Sequence, residues 1–155
     1  MKWISLRALI EEGAKAHQLA AQSKGLRLVI DAPATTVEAD AEKLRSVVDN
    51  LVGNAVKFTP PGGTITVRAE VRAGEAVIEV IDSGPGVAAE DRESIFDLFF
   101  TKSDSKIKGS GLGLAIAREF VEAHGGQIAV VGEGGGGHFR VTLPRRSARV
   151  LADAA

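Results

Sequence analysis

The sequence predicts an α+β fold, a two-layer α/β sandwich in which three helices cover one face of a mixed, mostly antiparallel sheet. Three observations carry this. Apolar residues recur at three- and four-residue steps in three separate stretches, the pattern of amphipathic helices. Residues 64–72 and 75–82 alternate β-branched with polar side chains around one turn dipeptide, as a β-hairpin does. With 155 residues, 45% of them hydrophobic, the chain holds one compact domain with a buried core and is short for two.

Taken in order, Ser5 is a helix N-cap, and Leu6, Leu9, Ile10, Gly13, Ala16, His17 and Ala20 mark one apolar face of a helix that stops near Gly25. Leu26 to Asp31 alternates as a strand that Pro33 breaks, and Val37 to Ala39 is a short second strand. Asp40 caps the next helix, which runs to about Phe58 and is ended by Thr59-Pro60-Pro61-Gly62-Gly63. The hairpin turns at Ala73-Gly74, and a short helix reaches Ile95-Phe96. Residues 97–110 show little periodicity and carry Lys102, Lys106 and Lys108, which reads as a mobile loop. Leu112 to His124 is the third helix, ended by Gly125-Gly126. Gln127 to Val131 and His138 to Leu143 form a last hairpin around the glycine tract 132–137, read as a loose turn. Pro144 closes a domain of residues 1–144, and residues 145–155 read as a tail or linker.

Composition narrows the function. Twenty acidic and nineteen basic side chains leave a net charge of −1, so no overall basic field exists to hold nucleic acid or an anionic membrane. No cysteine is present, which excludes disulfides, a thiol nucleophile and thiolate metal sites, and fits a reducing compartment. No apolar run approaches the roughly 18 residues of a membrane span, and no signal-peptide pattern opens the chain, so a cytoplasmic domain without membrane contact is expected. Glycine stands out: of 18, five fall between Gly84 and Gly113 and seven between Gly125 and Gly137.

Three motifs can carry chemistry. On the helix that carries 49–59, Leu44, Val48, Leu51 and Ala55 share the packing face, while Asn50, Asn54 and Lys57 form a second stripe. Amide oxygens there can help hold a hydrated Mg²⁺ and the lysine can neutralise phosphate oxygens, although the same stripe would serve as a solvated polar face. In Ile81-Asp-Ser-Gly-Pro-Gly-Val87 an acid ends a strand, and Gly84 and Gly86 permit close backbone approach. Its carboxylate would accept from an exocyclic amine and repel a carbonyl, selecting adenine over guanine, and an ordinary Asp-x-Gly turn is the competing reading. Gly109-Ser110-Gly111-Leu112-Gly113-Leu114 leads into a helix N-terminus suited to phosphate. It lacks the Gly-Lys-Ser/Thr of a Walker loop and follows no strand, so neither a P-loop nor a dinucleotide fold fits.

Together and in this order, the motifs resemble the catalytic and ATP-binding domain of bacterial two-component sensor histidine kinases. Asn50 to Thr59 is similar to the family's asparagine box, Asp82 to Gly86 to its first glycine box, Ile95 to Phe100 to its phenylalanine box, and Gly109 to Leu114 to its second glycine box. The resemblance implies the Bergerat (HATPase) ATP-binding fold, in which helices cover one sheet face and ATP lies beneath a flexible lid, here 97–110. It implies ATP and Mg²⁺ as cofactors, with Asn54 coordinating the metal and Asn50 and Lys57 acting on metal or phosphate as the catalytic pair. Asp82 would bond the adenine amine and Phe58 would lie beside the base. Gly84, Gly86, Gly109, Ser110, Gly111, Leu112, Gly113 and Leu114 would line the nucleotide, Lys102 would reach it from the lid, and Phe96 and Phe99 would anchor the lid by packing.

The resemblance further implies a protein-histidine kinase whose phosphoacceptor lies outside this chain. Its partners are then the dimerisation and phosphoacceptor domain of the same kinase and a response-regulator receiver domain, with no nucleic acid, and the isolated domain is expected to be monomeric. His17 lacks the usual acceptor surroundings and reads as a core-edge residue, His124 as part of a helix cap, and His138 has no functional account. Hydrolytic members of the superfamily place a glutamate where Asn50 stands; an amide cannot take the proton of an attacking water, which favours phosphoryl transfer. The alternatives are a partner-binding module that keeps the fold without catalysis and a hydrolytic ATPase.

Overall fold

The computed structural model describes residues 1–97, 112–131 and 136–146. The elements are β1 (Lys2–Ser5), α1 (Leu6–Lys15), α2 (Gln18–Lys24), β2 (Arg27–Asp31), β3 (Thr36–Ala39), α3 (Ala41–Phe58), β4 (Thr64–Arg72), β5 (Glu75–Asp82), α4 (Gly113–Ala123), β6 (Gln127–Val130) and β7 (His138–Pro144). Single 3₁₀ turns at Ala89–Asp91 and Ser94–Phe96 replace the short helix predicted there. Five strands form one sheet in the order β2-β4-β5-β7-β6, and β1 and β3 form a separate antiparallel pair. Only β2 and β4 run parallel, as the mixed, mostly antiparallel sheet of the sequence reading requires. The connection between those two strands contains α3, the kind of crossover a parallel pair needs.

Local chemistry accounts for the main boundaries. Asp40 accepts a hydrogen bond from the Lys43 N–H (3.1 Å) and so caps α3. At the other end of that helix Lys24 Nζ donates to the Val56 and Lys57 carbonyls (2.8 and 2.9 Å), two groups left without intrahelical partners. Ala73 and Gly74 both have positive φ (48° and 79°), the geometry of a type I′ hairpin turn. Ile65, Val67 and Ala69 of β4, Ala76, Ile78 and Val80 of β5, and Phe139, Val141 and Leu143 of β7 are buried in the core beneath the helices. The intervening residues form a cross-strand row on the other sheet face, Asp31, Arg68, Glu79 and Arg140, in which charge alternates from strand to strand.

The first predicted helix is two helices, making four rather than three among the described residues. His17 sits between them with φ −108° and ψ 0°, and its ring turns down onto α3. There Nε2 meets Asp49 Oδ1 at 2.7 Å, and a Cβ on Gly53 would lie 2.8 Å from the ring. The break rotates the apolar face, so Ala16 and Ala20 are exposed and Ala21 is buried instead. Strand β1 is an element the sequence pattern does not predict; its partner β3 lies more than thirty residues along the chain. His124 does more than end α4. Its Nδ1–H donates to the Phe120 carbonyl (2.7 Å) and its Nε2 accepts from the Asp40 N–H (3.0 Å), joining the C-terminus of α4 to the start of α3. Beyond β7, Arg145 donates its N–H to the Gly74 carbonyl and accepts from the Glu38 N–H (both 2.9 Å), and the guanidinium groups of Arg145 and Arg146 each lie 5.9 Å from the Trp3 ring centre.

Candidate functional site

Helix α3 is amphipathic in two senses. Leu44, Val47, Val48, Leu51, Val52 and Ala55 are buried, while Asn50, Asn54 and Lys57 are half-buried along one edge of that face. The Asn50 amide is oriented by its own helix: Nδ2 donates to the Ser46 carbonyl at 2.8 Å and to Ser46 Oγ at 3.3 Å. Its donor is thereby committed, and Oδ1 points toward the start of α4, 2.8 Å from where a Cβ on Gly113 would stand. Asn54, one turn on, makes no side-chain hydrogen bond to a described residue. Lys57 Nζ lies 5.7 Å from the centre of the Phe58 ring.

The strand-end acid is held by backbone. Asp82 Oδ1 accepts from the Gly84 N–H (2.8 Å) and the Gly137 N–H (3.2 Å), and the Asp82 N–H donates to the Gly137 carbonyl (2.8 Å). Oδ2 has no donor among the described residues. The approach is close enough to demand glycine: a Cβ on Gly137 would stand 2.3 Å from Asp82 Oδ2, and one on Gly136 would stand 2.2 Å from the Asp82 carbonyl oxygen. Gly84 is equally tight, 2.8 Å from Asp82 Oδ1 and 3.2 Å from the Phe58 carbonyl oxygen.

Three sequence-predicted motifs therefore converge. Asn50 meets Gly113, and the C-terminus of α3 at Phe58 meets Gly84 beside Asp82. Gly86 takes φ 77° in the turn that follows. Leu114 packs against the core, and Leu112 precedes the first residue of α4. Phe96 is buried, edge-on to Phe139 with ring centres 6.1 Å apart, so it is a packing residue. Lys102, Gly109, Ser110 and Gly111, together with Phe99 and the lid reading of 97–110, lie outside the described residues, apart from Asp97.

Two features escaped the sequence reading. Gly136 and Gly137, which the glycine-rich pattern alone assigns to a loose turn, pack directly against Asp82. Thr59 is the other: its hydroxyl is fully buried with no partner among the described residues, next to Gly84. The only sequence signal for the first was the density of glycines. For Thr59 it was its place at the end of the asparagine-bearing segment.

Residues 39–147 match the model of the histidine kinase-, DNA gyrase B-, and HSP90-like ATPase family, and the chain belongs to that family. Within it, the histidine kinases are the matching branch. The chain is 37% identical over 145 residues to sensor histidine kinase GlrK of Escherichia coli K12, covering 91% of this chain and 30% of GlrK. Among solved structures, the catalytic domain of histidine kinase ThkA superposes with a TM-score of 0.86 at 30% identity, covering 94% of this chain and 96% of that one. Full-length ShkA in complex with AMPPNP superposes at 0.83 with 35% identity, covering 92% of this chain and 30% of ShkA. ThkA has also been solved with its response regulator TrrA; that kinase superposes at 0.80 with 28% identity, covering 93% of this chain and 41% of ThkA. The chain thus spans less than a third of GlrK and is a histidine kinase catalytic domain. Among the described residues no helix is long and apolar enough to cross a membrane.

Proposed function

We propose that this domain binds Mg·ATP along the wall formed by α3, Asp82 and the start of α4, and donates the γ-phosphoryl group to a histidine on a separate dimerisation domain. From there the group passes to an aspartate of a response-regulator receiver domain. The observation that carries the reading is the Asp82 carboxylate: Oδ1 is occupied by two backbone N–H groups, which leaves Oδ2 as an acceptor for an exocyclic amine. ShkA with AMPPNP and ThkA with TrrA support the ligand and the partner class.

The donor set fits a hard cation. Asn50 and Asn54 offer amide oxygens, and among the described residues no group of three or more His, Cys, Asp or Glu is gathered to hold a metal. Asn54, with Asn50 in support, would hold Mg²⁺ together with phosphate oxygens and water. When bound, the ion would neutralise charge on the phosphates. Lys57 would contact phosphate, Phe58 would lie beside the base, and Gly109, Gly111 and Gly113 would let the chain close over the triphosphate. The acceptor imidazole nitrogen forms the new N–P bond while the bond from the γ-phosphorus to the bridging oxygen of ADP breaks. Asn50 cannot serve as base for an attacking water, since a neutral amide does not take up its proton. This favours transfer over hydrolysis, in a cytoplasmic domain of a longer kinase.

Calorimetry tests the binding step. Saturable binding of ADP is expected, weakened in Asn54→Ala and made less dependent on Mg²⁺ there; absence of binding by the unaltered chain refutes the reading. Labelled ATP with a matching phosphoacceptor domain tests the transfer, and an unlabelled histidine in the presence of normal nucleotide binding would leave only a binding module.

A further inference from the structure

His138 opens β7 opposite Ile81, two register positions from the pair Glu79 and Arg140. Its ring Nε2 is hydrogen-bonded to Glu79 Oε2 across the strands. Glu79 lies on the sheet face away from the core, yet is only 4% exposed. Three neighbours cover it. Arg68 from β4 reaches Oε1 at 3.2 Å, Arg140 from β7 reaches Oε2 at 3.4 Å, and the His138 ring closes the third side. Burial pushes the Glu79 carboxyl up, but hydrogen bonds from His138 and Arg68 outweigh it and hold it below its ordinary value, so the group is an ionised anchor. A charge-assisted bond to a buried anion restrains its partner more firmly than a neutral bond at the surface.

What His138 restrains matters because of its neighbours in the chain. Gly136 and Gly137 precede it, and two adjacent glycines have large conformational freedom. These are the residues that close on Asp82. Their position is set on one side by the main-chain bonds between Asp82 and Gly137, and on the other by His138, whose carbonyl accepts from the Val131 N–H (2.8 Å) and whose side chain adds the bond to Glu79.

We propose that His138 is a positioning residue for the nucleotide. By bonding to the buried Glu79 it fixes the first residue of β7 and thereby keeps the Gly137 N–H on the Asp82 carboxylate. The inference rests on the reading of Asp82 as the acceptor for the base. Without the anchor, the carboxylate loses one of its two backbone donors and turns more freely, so both affinity for adenine nucleotide and discrimination against guanine nucleotide should fall.

The test compares the unaltered chain with His138→Ala and His138→Gln, by calorimetry with ADP and GDP and by the Gly137 amide resonance in nucleotide-free protein. His138→Ala is expected to weaken ADP binding by roughly three- to tenfold, the worth of one hydrogen bond, and to narrow the preference for ADP over GDP. The Gly137 resonance should move upfield as its bond to the carboxylate weakens. His138→Gln, whose amide N–H can still reach Glu79, should restore most of each effect. An unmoved Gly137 resonance in His138→Ala overturns the inference whether or not ADP binds. Unchanged ADP affinity and selectivity overturn it as well. Absence of ADP binding by the unaltered chain instead overturns the proposed function. Should His138→Ala not fold, His138→Val, which suits a strand and has no donor, is read in the same way.

Discussion

Asp82→Asn exchanges one oxygen for an NH₂ group at nearly constant volume, and the surrounding backbone decides which way the amide lies. The Gly84 and Gly137 N–H groups, at 2.8 and 3.2 Å from Oδ1, require an acceptor there, so the amide oxygen takes that position. The NH₂ group must then stand where Oδ2 stood and presents donors to the ligand. Against the amine of adenine this replaces a charge-assisted bond with a donor facing a donor. A hydrogen bond to a charged group contributes about 1.5–3 kcal/mol, so ADP affinity should fall by roughly 10- to 150-fold. Against a purine that carries a carbonyl at the same place the new donor is favourable, so affinity for IDP or GDP should hold or rise. Calorimetric titration with ADP and IDP, with a thermal melt to confirm the fold, reads both effects. ADP affinity within twofold of the unaltered chain, or an unchanged ADP-to-IDP ratio, would refute the assignment of Asp82 to the base.

Three other outcomes concern stability. Gly13→Ala should destabilise despite alanine's advantage of about 1 kcal/mol in a helix, because the new Cβ would stand 2.8–2.9 Å from Val48 on α3 and overpacking costs about 1–3 kcal/mol. Combining it with Val48→Ala should relieve the clash, which urea denaturation would show as non-additive changes. His124→Ala removes two hydrogen bonds and strands the Asp40 N–H, a loss of about 2–4 kcal/mol that should lower the melting temperature by roughly 5–15 °C. Glu79 has a folded pKa below its ordinary 4.5, so its contribution is present above that pH and is lost as pH falls through the lower folded value. Acid titration of stability should therefore be shallower in Glu79→Gln than in the unaltered chain.

Features set by near neighbours were legible in the sequence. The Asp40 cap, the Ala73-Gly74 turn and both strands of its hairpin depend on residues within a few positions and fell where the residue pattern put them. The amide stripe and the strand-end acid were legible for the same reason. What the pattern missed depends on distant contacts. His17 interrupts a good helical periodicity because Asp49 and Gly53 on another helix accommodate its ring. Gly137 approaches a carboxylate 55 residues away and Gly136 the main-chain carbonyl of the same Asp82, and the property that matters, the absence of a side chain, looks the same in a loose turn and in a tight contact. His138 had no local partner to explain it because Glu79 lies 59 residues earlier.

The bond between Gly137 and Asp82 also has a kinetic meaning. The wall proposed to recognise the base joins two segments far apart along the chain, so it cannot exist until β7 has docked beside β5 and the sheet is complete; such long-range closure belongs to the late, slow part of folding. Nucleotide should then bind the finished domain and not its partly folded forms. At a concentration 100 times the dissociation constant it would add about 2.7 kcal/mol to stability, and amide exchange in the β5–β7 ladder should slow accordingly. Occupancy by nucleotide would thus distinguish a completed domain from one whose last strand is still loose.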